Sequence, residues 1–324
     1  MQIEDISPQY HTIKAFRFTD NTVLENVKVE YLTFGTPEYD QESRITNAII
    51  YFHGTSGNYA SIKRIKEAIG KDLPFDTDRF FFVSLSALGT PGSSSPSTDK
   101  LYNKYPQYCI LDMVNFCRTF LREALNIEKP LGLIGNSMGG FEVLTWAATY
   151  PDEAAFIISL VSSYKVGGQN YVLGKLMNDI IESDPDFNNP EAQMKRSLKL
   201  SSKAMYSFGL SRQYYMDLSK QEINAYMDEF ALEDSQENVY DAYYRNRAAI
   251  NYDISDRLKN IRAKTLIVAI HEDQYFPPRL DAIPMNGMIE DSRLVVFNSY
   301  MGHIGSGQLT KIMDELEEFM SEFK

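Results

Sequence analysis

Leu131-Gly132-Leu133-Ile134-Gly135-Asn136-Ser137-Met138-Gly139-Gly140-Phe141-Glu142-Val143-Leu144-Thr145-Trp146-Ala147 is the stretch on which the fold turns. A short apolar run ends at Ile134, a small-residue turn of the form G-x-S-x-G follows, and a helical pattern opens at Phe141. At average Gly and Ser usage such a pattern arises by chance in roughly one chain of this length in ten, so alone it decides little. Its setting decides more. A serine on a sharp turn between strand and helix has its hydroxyl exposed, and small residues two places either side let the backbone pass closely. A tight turn with an incidental serine is the weaker reading. Neither G-x-G-x-x-G nor a trailing Gly-Lys-Ser/Thr is present, which removes dinucleotide and P-loop roles.

Outward from this turn the chain alternates strands and helices. Ala48–Phe52, 80–83, 131–134, Phe156–Leu160, 265–270 and 294–297 are continuous apolar runs, as in strands covered on both faces. Residues 12–18 and 26–35 instead alternate at period two, which predicts an antiparallel hairpin with one wet face. Ile110, Met113, Val114, Cys117, Leu121 and Leu125 recur at helical spacing, and 307–324 carries a second amphipathic stripe. Strands separated by helices give right-handed crossovers, hence an α/β, mostly parallel, doubly wound sheet. Residues 164–257 break the alternation: they are rich in Tyr, Met and charge, helically periodic, and offer no convincing strand. We read them as a helical cap inserted after the sixth strand, with 1–163 and 258–324 forming the core.

The chain has 324 residues with 32 basic and 44 acidic side chains, a net charge of −12. That balance repels phosphate backbones and anionic headgroups, so nucleic acid and membrane surfaces are not expected partners. The start, Met1-Gln2-Ile3-Glu4-Asp5, is acidic where a signal peptide would be basic and then apolar, so the expected location is the cytoplasm. Cys109 and Cys117 lie eight residues apart on one expected helix, about 12 Å by its rise, beyond disulfide reach. Four scattered histidines and two cysteines give no metal-ligand spacing, and neither metal nor cofactor is expected. Oligomeric state stays open, a homodimer being one arrangement.

A serine hydroxyl becomes a nucleophile through a base, and the base through an orienting carboxylate. With the order Ser, acid, His along such a chain, only His271 and His303 remain as bases. His303 stands in the loop after the strand at 294–297, where the base belongs, whereas His271 directly follows the strand at 265–270, the acid's place. Asp273 is the preferred acid, since the double proline Pro277-Pro278 fixes the following turn; Glu272 is its alternative. Acyl chemistry also requires donors for the developing oxyanion. The backbone N–H of Met138 and that of Thr55, in the small-residue loop His53-Gly54-Thr55-Ser56-Gly57-Asn58, are the candidates. His53 reads as structural.

The turn with its helix, ending in Tyr150-Pro151-Asp152, resembles the homoserine O-acetyltransferase family within the α/β-hydrolase superfamily. So do Leu88-Gly89-Thr90-Pro91-Gly92-Ser93-Ser94-Ser95-Pro96-Ser97, Asp112-Met113-Val114, Asp184-Pro185, Asp273 with Phe276-Pro277, and Gly302-His303. The likeness spans residues 49–303 and implies an α/β-hydrolase fold with a ping-pong mechanism, in which Ser137 takes an acyl group and hands it on. At Asn136 the family usually has glycine, after the histidine it has an acid where Ile304 stands, and its cap arginine has no counterpart in Met205-Tyr206-Ser207-Phe208. Arg196 or Arg212 could be displaced substitutes.

Three functions follow. The first is hydrolysis of a small carboxylic ester or amide through an acyl-serine, favoured because the acceptor-specific residues are those missing. The second is transfer from acyl-CoA, then a co-substrate, to a hydroxyl acceptor. The third is a silent ligand-binding module, opposed by the intact set of Ser, acid, His and glycine-rich loop. Lys63, Arg64 and Lys66, or Lys195, Arg196 and Lys199, could meet a CoA phosphate, but read better as solvated helix faces. Tyr164, Tyr171, Tyr206, Tyr214, Tyr215, Tyr240, Tyr243 and Tyr244 of the cap read as packing residues more readily than as an acyl pocket.

Overall fold

The computed structural model describes residues 7–189, 192–234 and 236–324. The acidic start Met1–Asp5, on which the expected location rests, lies outside the described residues. Eight strands form one sheet in the order β1-β2-β4-β3-β5-β6-β7-β8: β1 (Gln9–Arg17), β2 (Val23–Gly35), β3 (Ala48–Phe52), β4 (Phe81–Leu85), β5 (Gly132–Asn136), β6 (Phe156–Leu160), β7 (Lys264–Ile270) and β8 (Ser292–Phe297). The period-two segments do form an antiparallel hairpin, β1 with β2, and β2 joins the sheet antiparallel to β4. Every later pairing is parallel. The doubly wound, mostly parallel sheet expected of the apolar runs is thus the one observed.

Alternate residues of the inner strands feed two cores. On β3, Ala48, Ile50 and Phe52 pack on one face with helices α1 (Ile110–Leu125) and α2 (Met138–Thr149), while Ile49 and Tyr51 pack on the other with α9 (Met313–Ser321). That two-sided burial is why these strands read as unbroken apolar runs. Trp146, the chain's single tryptophan, is buried on α2; its indole N–H donates to Glu153 Oε2 at 3.0 Å and its ring meets Phe52 edge-on at 6.1 Å.

Between β6 and β7 lie five helices and, among the described residues, no strand of the sheet: α3 (Gly168–Glu182), α4 (Lys195–Tyr206), α5 (Arg212–Asp217), α6 (Lys220–Asp234) and α7 (Val239–Ile250). The short α8 (Ala282–Asn286) precedes β8. Two local differences from the sequence reading have plain causes. Cys109 caps α1 rather than lying within it, because the Asp112 carboxylate accepts the Cys109 N–H at 2.9 Å and so closes the helix start. The C-terminal stripe begins as a 3₁₀ turn, Leu309–Ile312, before α9. Both cysteines are free. Among the described residues no helix is long and apolar enough to cross a membrane.

Candidate active site

The carboxyl ends of β3, β5, β7 and β8 open on the same side of the sheet, the usual place for a ligand crevice in a parallel sheet. Ser137 stands between β5 and α2 with φ 55° and ψ −116°, a backbone conformation that costs a non-glycine residue roughly 1–3 kcal/mol. The glycines around it make the bend sterically allowed. A Cβ on Gly135 would lie 2.2 Å from Gly139 O, and one on Gly139 would lie 2.2 Å from Phe52 O. The turn is pinned from outside as well, by the Ser137 N–H donating to Leu160 O at 2.9 Å.

His303 sits in the loop after β8, and its two ring nitrogens divide between two partners. Nδ1 meets Asp273 Oδ2 at 2.7 Å and Nε2 meets Ser137 Oγ at 3.0 Å. An ionised carboxylate only accepts, so Nδ1 carries the proton and the neutral ring leaves Nε2 to accept the serine O–H. Asp273 is fully buried at its side chain. Its other oxygen, Oδ1, accepts the N–H groups of Tyr275 at 2.8 Å and Phe276 at 3.0 Å, which fixes the carboxylate plane. The rings of Tyr275 and Phe276 lie 4.9 and 5.6 Å from the imidazole and shield it. Glu272, the alternative acid, turns elsewhere and accepts the Ser299 N–H at 2.7 Å; His271 is exposed.

The loop after β3 forms the facing wall. A Cβ on Gly54 would lie 3.4 Å from Ser137 Cβ, which places this loop in contact with the nucleophile turn. Thr55 and Met138 line one cavity with Ser137 and His303. His53 faces inward instead: Nε2 accepts the Ala87 N–H at 3.0 Å and Nδ1 donates to Gly54 O at 2.7 Å. Burial pushes its pKa down to about 4, so it is a neutral strut beneath the loop.

The cavity encloses about 230 Å³, below the roughly 300–1,000 Å³ of sites for drug-sized ligands. Its floor is the strand-end set, and its roof comes from the inserted helices: Leu173 and Met177 of α3, Tyr206 of α4, Phe230 of α6 and Ile250 of α7. The roof is tied directly to the histidine and aspartate loops. Gln274 Nε2 donates to Leu210 O at 2.6 Å, Ser211 Oγ to Tyr300 O at 2.7 Å, and the Ile304 N–H to Gly209 O at 3.3 Å.

Some lining residues were not legible in the sequence. Arg64 is exposed, as its reading as part of a solvated face has it, and also lines the cavity, whereas Arg196 and Arg212, the expected substitutes for a cap arginine, do not. Of the cap tyrosines only Tyr206 lines it; Tyr164, Tyr240, Tyr243 and Tyr244 are buried in packing. Asp281 accepts the Ser163 hydroxyl at 2.6 Å, and burial pushes its carboxyl up to about 6. The serine-rich segment noted in the sequence does mechanical work: Ser93 Oγ accepts the Glu30 N–H at 3.0 Å and Ser94 Oγ the Lys28 N–H at 2.9 Å, binding it to β2.

Residues 47–304 match the family described as alpha/beta hydrolase fold. A probable acyltransferase of Methanothermobacter thermautotrophicus is 44% identical over 318 residues, 98% of this chain and 99% of that protein. The solved structure of an acetylester hydrolase from Corynebacterium glutamicum superposes with a TM-score of 0.85 at 22% identity, covering 97% of this chain and 96% of that one. Homoserine O-acetyltransferase from Bacillus anthracis gives 0.83 at 17% identity, with 97% of each chain covered. The two structural likenesses carry the fold alone.

Proposed function

This chain belongs to the alpha/beta hydrolase fold family and is an enzyme of its esterase and acyltransferase type, and from that premise we propose that Ser137 is its nucleophile, His303 its general base and Asp273 the carboxylate that orients the base. The observation that carries the reading is the unbroken hydrogen-bonded line from Asp273 through His303 to Ser137, at 2.7 and 3.0 Å. Ser137 Oγ attacks the substrate carbonyl while its proton passes to His303 Nε2. The oxyanion forms against the backbone N–H groups of Thr55 and Met138, donors worth about 3–4 kcal/mol each in comparable sites. Collapse breaks the bond to the leaving alcohol, which takes the proton from His303, and an acyl-serine remains. Water then attacks that ester, gives its proton to His303, and the released acid leaves Ser137 with its proton restored.

Hydrolysis of a small carboxylic ester is the reading the cavity favours, because about 230 Å³ suits a short acyl group and water needs no dedicated subsite. A second reading, transfer from acyl-CoA to a hydroxyl acceptor, is supported by the 44% identical relative named a probable acyltransferase. We expect the location to be the cytoplasm and the partner to be a small acyl compound, with no cofactor or metal required. A fluorophosphonate probe should label Ser137 and nothing in Ser137→Ala. Acetyl-CoA then separates the two readings: CoA release that requires an added hydroxyl acceptor means transfer, and turnover of a nitrophenyl ester alone means hydrolysis. An unlabelled wild-type enzyme would remove both.

A further inference from the structure

One cavity-lining group has no task in the chemistry above. Arg64 lies on the 3₁₀ segment Tyr59–Ala68, and it is the one permanently charged side chain lining the cavity among the described residues. None of the carboxylates among those residues is within ion-pair distance of it, although the chain carries twelve more acids than bases. The Arg64 backbone is held beside the histidine loop: Gly307, four residues beyond His303, packs so closely that a Cβ there would lie 2.5 Å from Arg64 O. Tyr206 and Ser56 line the same cavity, with the Tyr206 hydroxyl beside Ser56 and within the combined field of Asp234, Glu233 and Arg64. Burial pushes that phenol up, so it stays a neutral O–H donor across the working range.

We propose that Arg64, with the hydroxyls of Tyr206 and Ser56, forms a carboxylate-recognition subsite, so that the preferred substrate is a small ester carrying a carboxylate away from its scissile carbonyl. The inference rests on the acyl-serine reading above and adds the substrate class to it. Three features support it. The planar guanidinium pairs with a carboxylate bidentately, which fixes orientation as well as affinity. The rest of the lining is neutral or apolar apart from His303, so a carboxylate has one place to go. The cavity, at about 230 Å³, also suits only a small substrate.

The carboxylate could be borne on either side of the ester, and the experiment has an arm for each. One arm compares ethyl hydrogen succinate with ethyl methyl succinate, placing the charge on the acyl side. The other compares 3-acetoxypropanoate with 3-acetoxypropanamide, placing it on the alcohol side. We expect wild-type kcat/KM to favour the charged member at least tenfold in one arm, mainly through KM. Arg64→Gln should bring that ratio to about one, Arg64→Lys should keep part of it, and Arg64→Glu should reverse it. The ratio is internal to each variant, so a loss of folded enzyme cannot mimic the effect. A wild-type ratio near one in both arms, or a ratio unmoved in Arg64→Gln, overturns the subsite and leaves the acyl-serine reading standing. Loss of the acyl-serine reading shows separately, as turnover that survives Ser137→Ala.

Discussion

The smallest unit of the site is a proton path of three side chains, and the roles divide by what each atom can do. Ser137→Ala and His303→Ala should each lower kcat/KM for a small ester by about 10,000-fold or more, since nucleophile and base act as a unit. Asp273→Asn should cost on the order of 10,000-fold for a different reason. The amide would offer N–H or accept through oxygen with equal ease, and the wrong imidazole tautomer would leave Nε2 unable to take the serine proton. Steady-state rates on a nitrophenyl acetate series check all three, and a Ser137→Ala enzyme within tenfold of wild type would remove the assignment of roles. At this scale much was legible. Ser137 stood in a pattern with a steric reason, and the order of acid and base along the chain left His303 and Asp273. That Arg64 borders the cavity was not legible, because nothing local marks which exposed basic residue stands at a cavity mouth. Arg64 is exposed and at the same time borders the cavity, with Gly307 packed against its backbone.

Elements set those atoms in place. The sharp turn between β5 and α2 is possible because Gly135 and Gly139 have no side chain, where a Cβ on either would lie 2.2 Å from a carbonyl oxygen, and the parallel strands carry three further loops to the same edge. The apolar runs made these strands readable, since burial on both faces leaves a signature that needs no partner to interpret. The roof was readable only as helical. Its hold on the floor depends on loop-to-loop hydrogen bonds between segments about 65–90 residues apart, which no local pattern encodes. Gly302 is the sharpest instance. It has φ +57°, and a Cβ on it would lie 2.6 Å from Ser211 N. Gly302→Ala should therefore push the 209–211 segment away from the histidine loop. We expect kcat/KM to fall roughly 10- to 100-fold, in keeping with misplacements of about an ångström, while far-ultraviolet circular dichroism stays close to wild type. Wild-type kinetics in this variant would show that the roof does not position His303.

Over the whole molecule, one buried and one half-buried titrating group give stability an opposed dependence on pH. His53 has its pKa depressed to about 4 in the folded protein, against about 6.5 when unfolded. Between those values the unfolded chain binds the extra proton, so stability is present above pH 6.5 and is lost on acidification, by an amount on the order of 3 kcal/mol. Asp281 runs the other way: its folded pKa of about 6 lies above the unfolded value, so its contribution is full below about pH 4 and fades as pH rises through 6. The two overlap between pH 4 and 6 and offset one another. His53→Gln should thus be less acid-sensitive than wild type over that range, and Asp281→Asn more so, measured as urea midpoints at half-unit steps of pH. Identical midpoint profiles for all three proteins would contradict the account. The placing of Trp146 has a use of its own. Because the lone indole bridges the helix behind the nucleophile and the strand that feeds the opposite wall, its emission needs no extrinsic dye to follow those two parts. A red shift would mark their separation, and a spectrum that holds still while catalysis fails would locate the fault elsewhere.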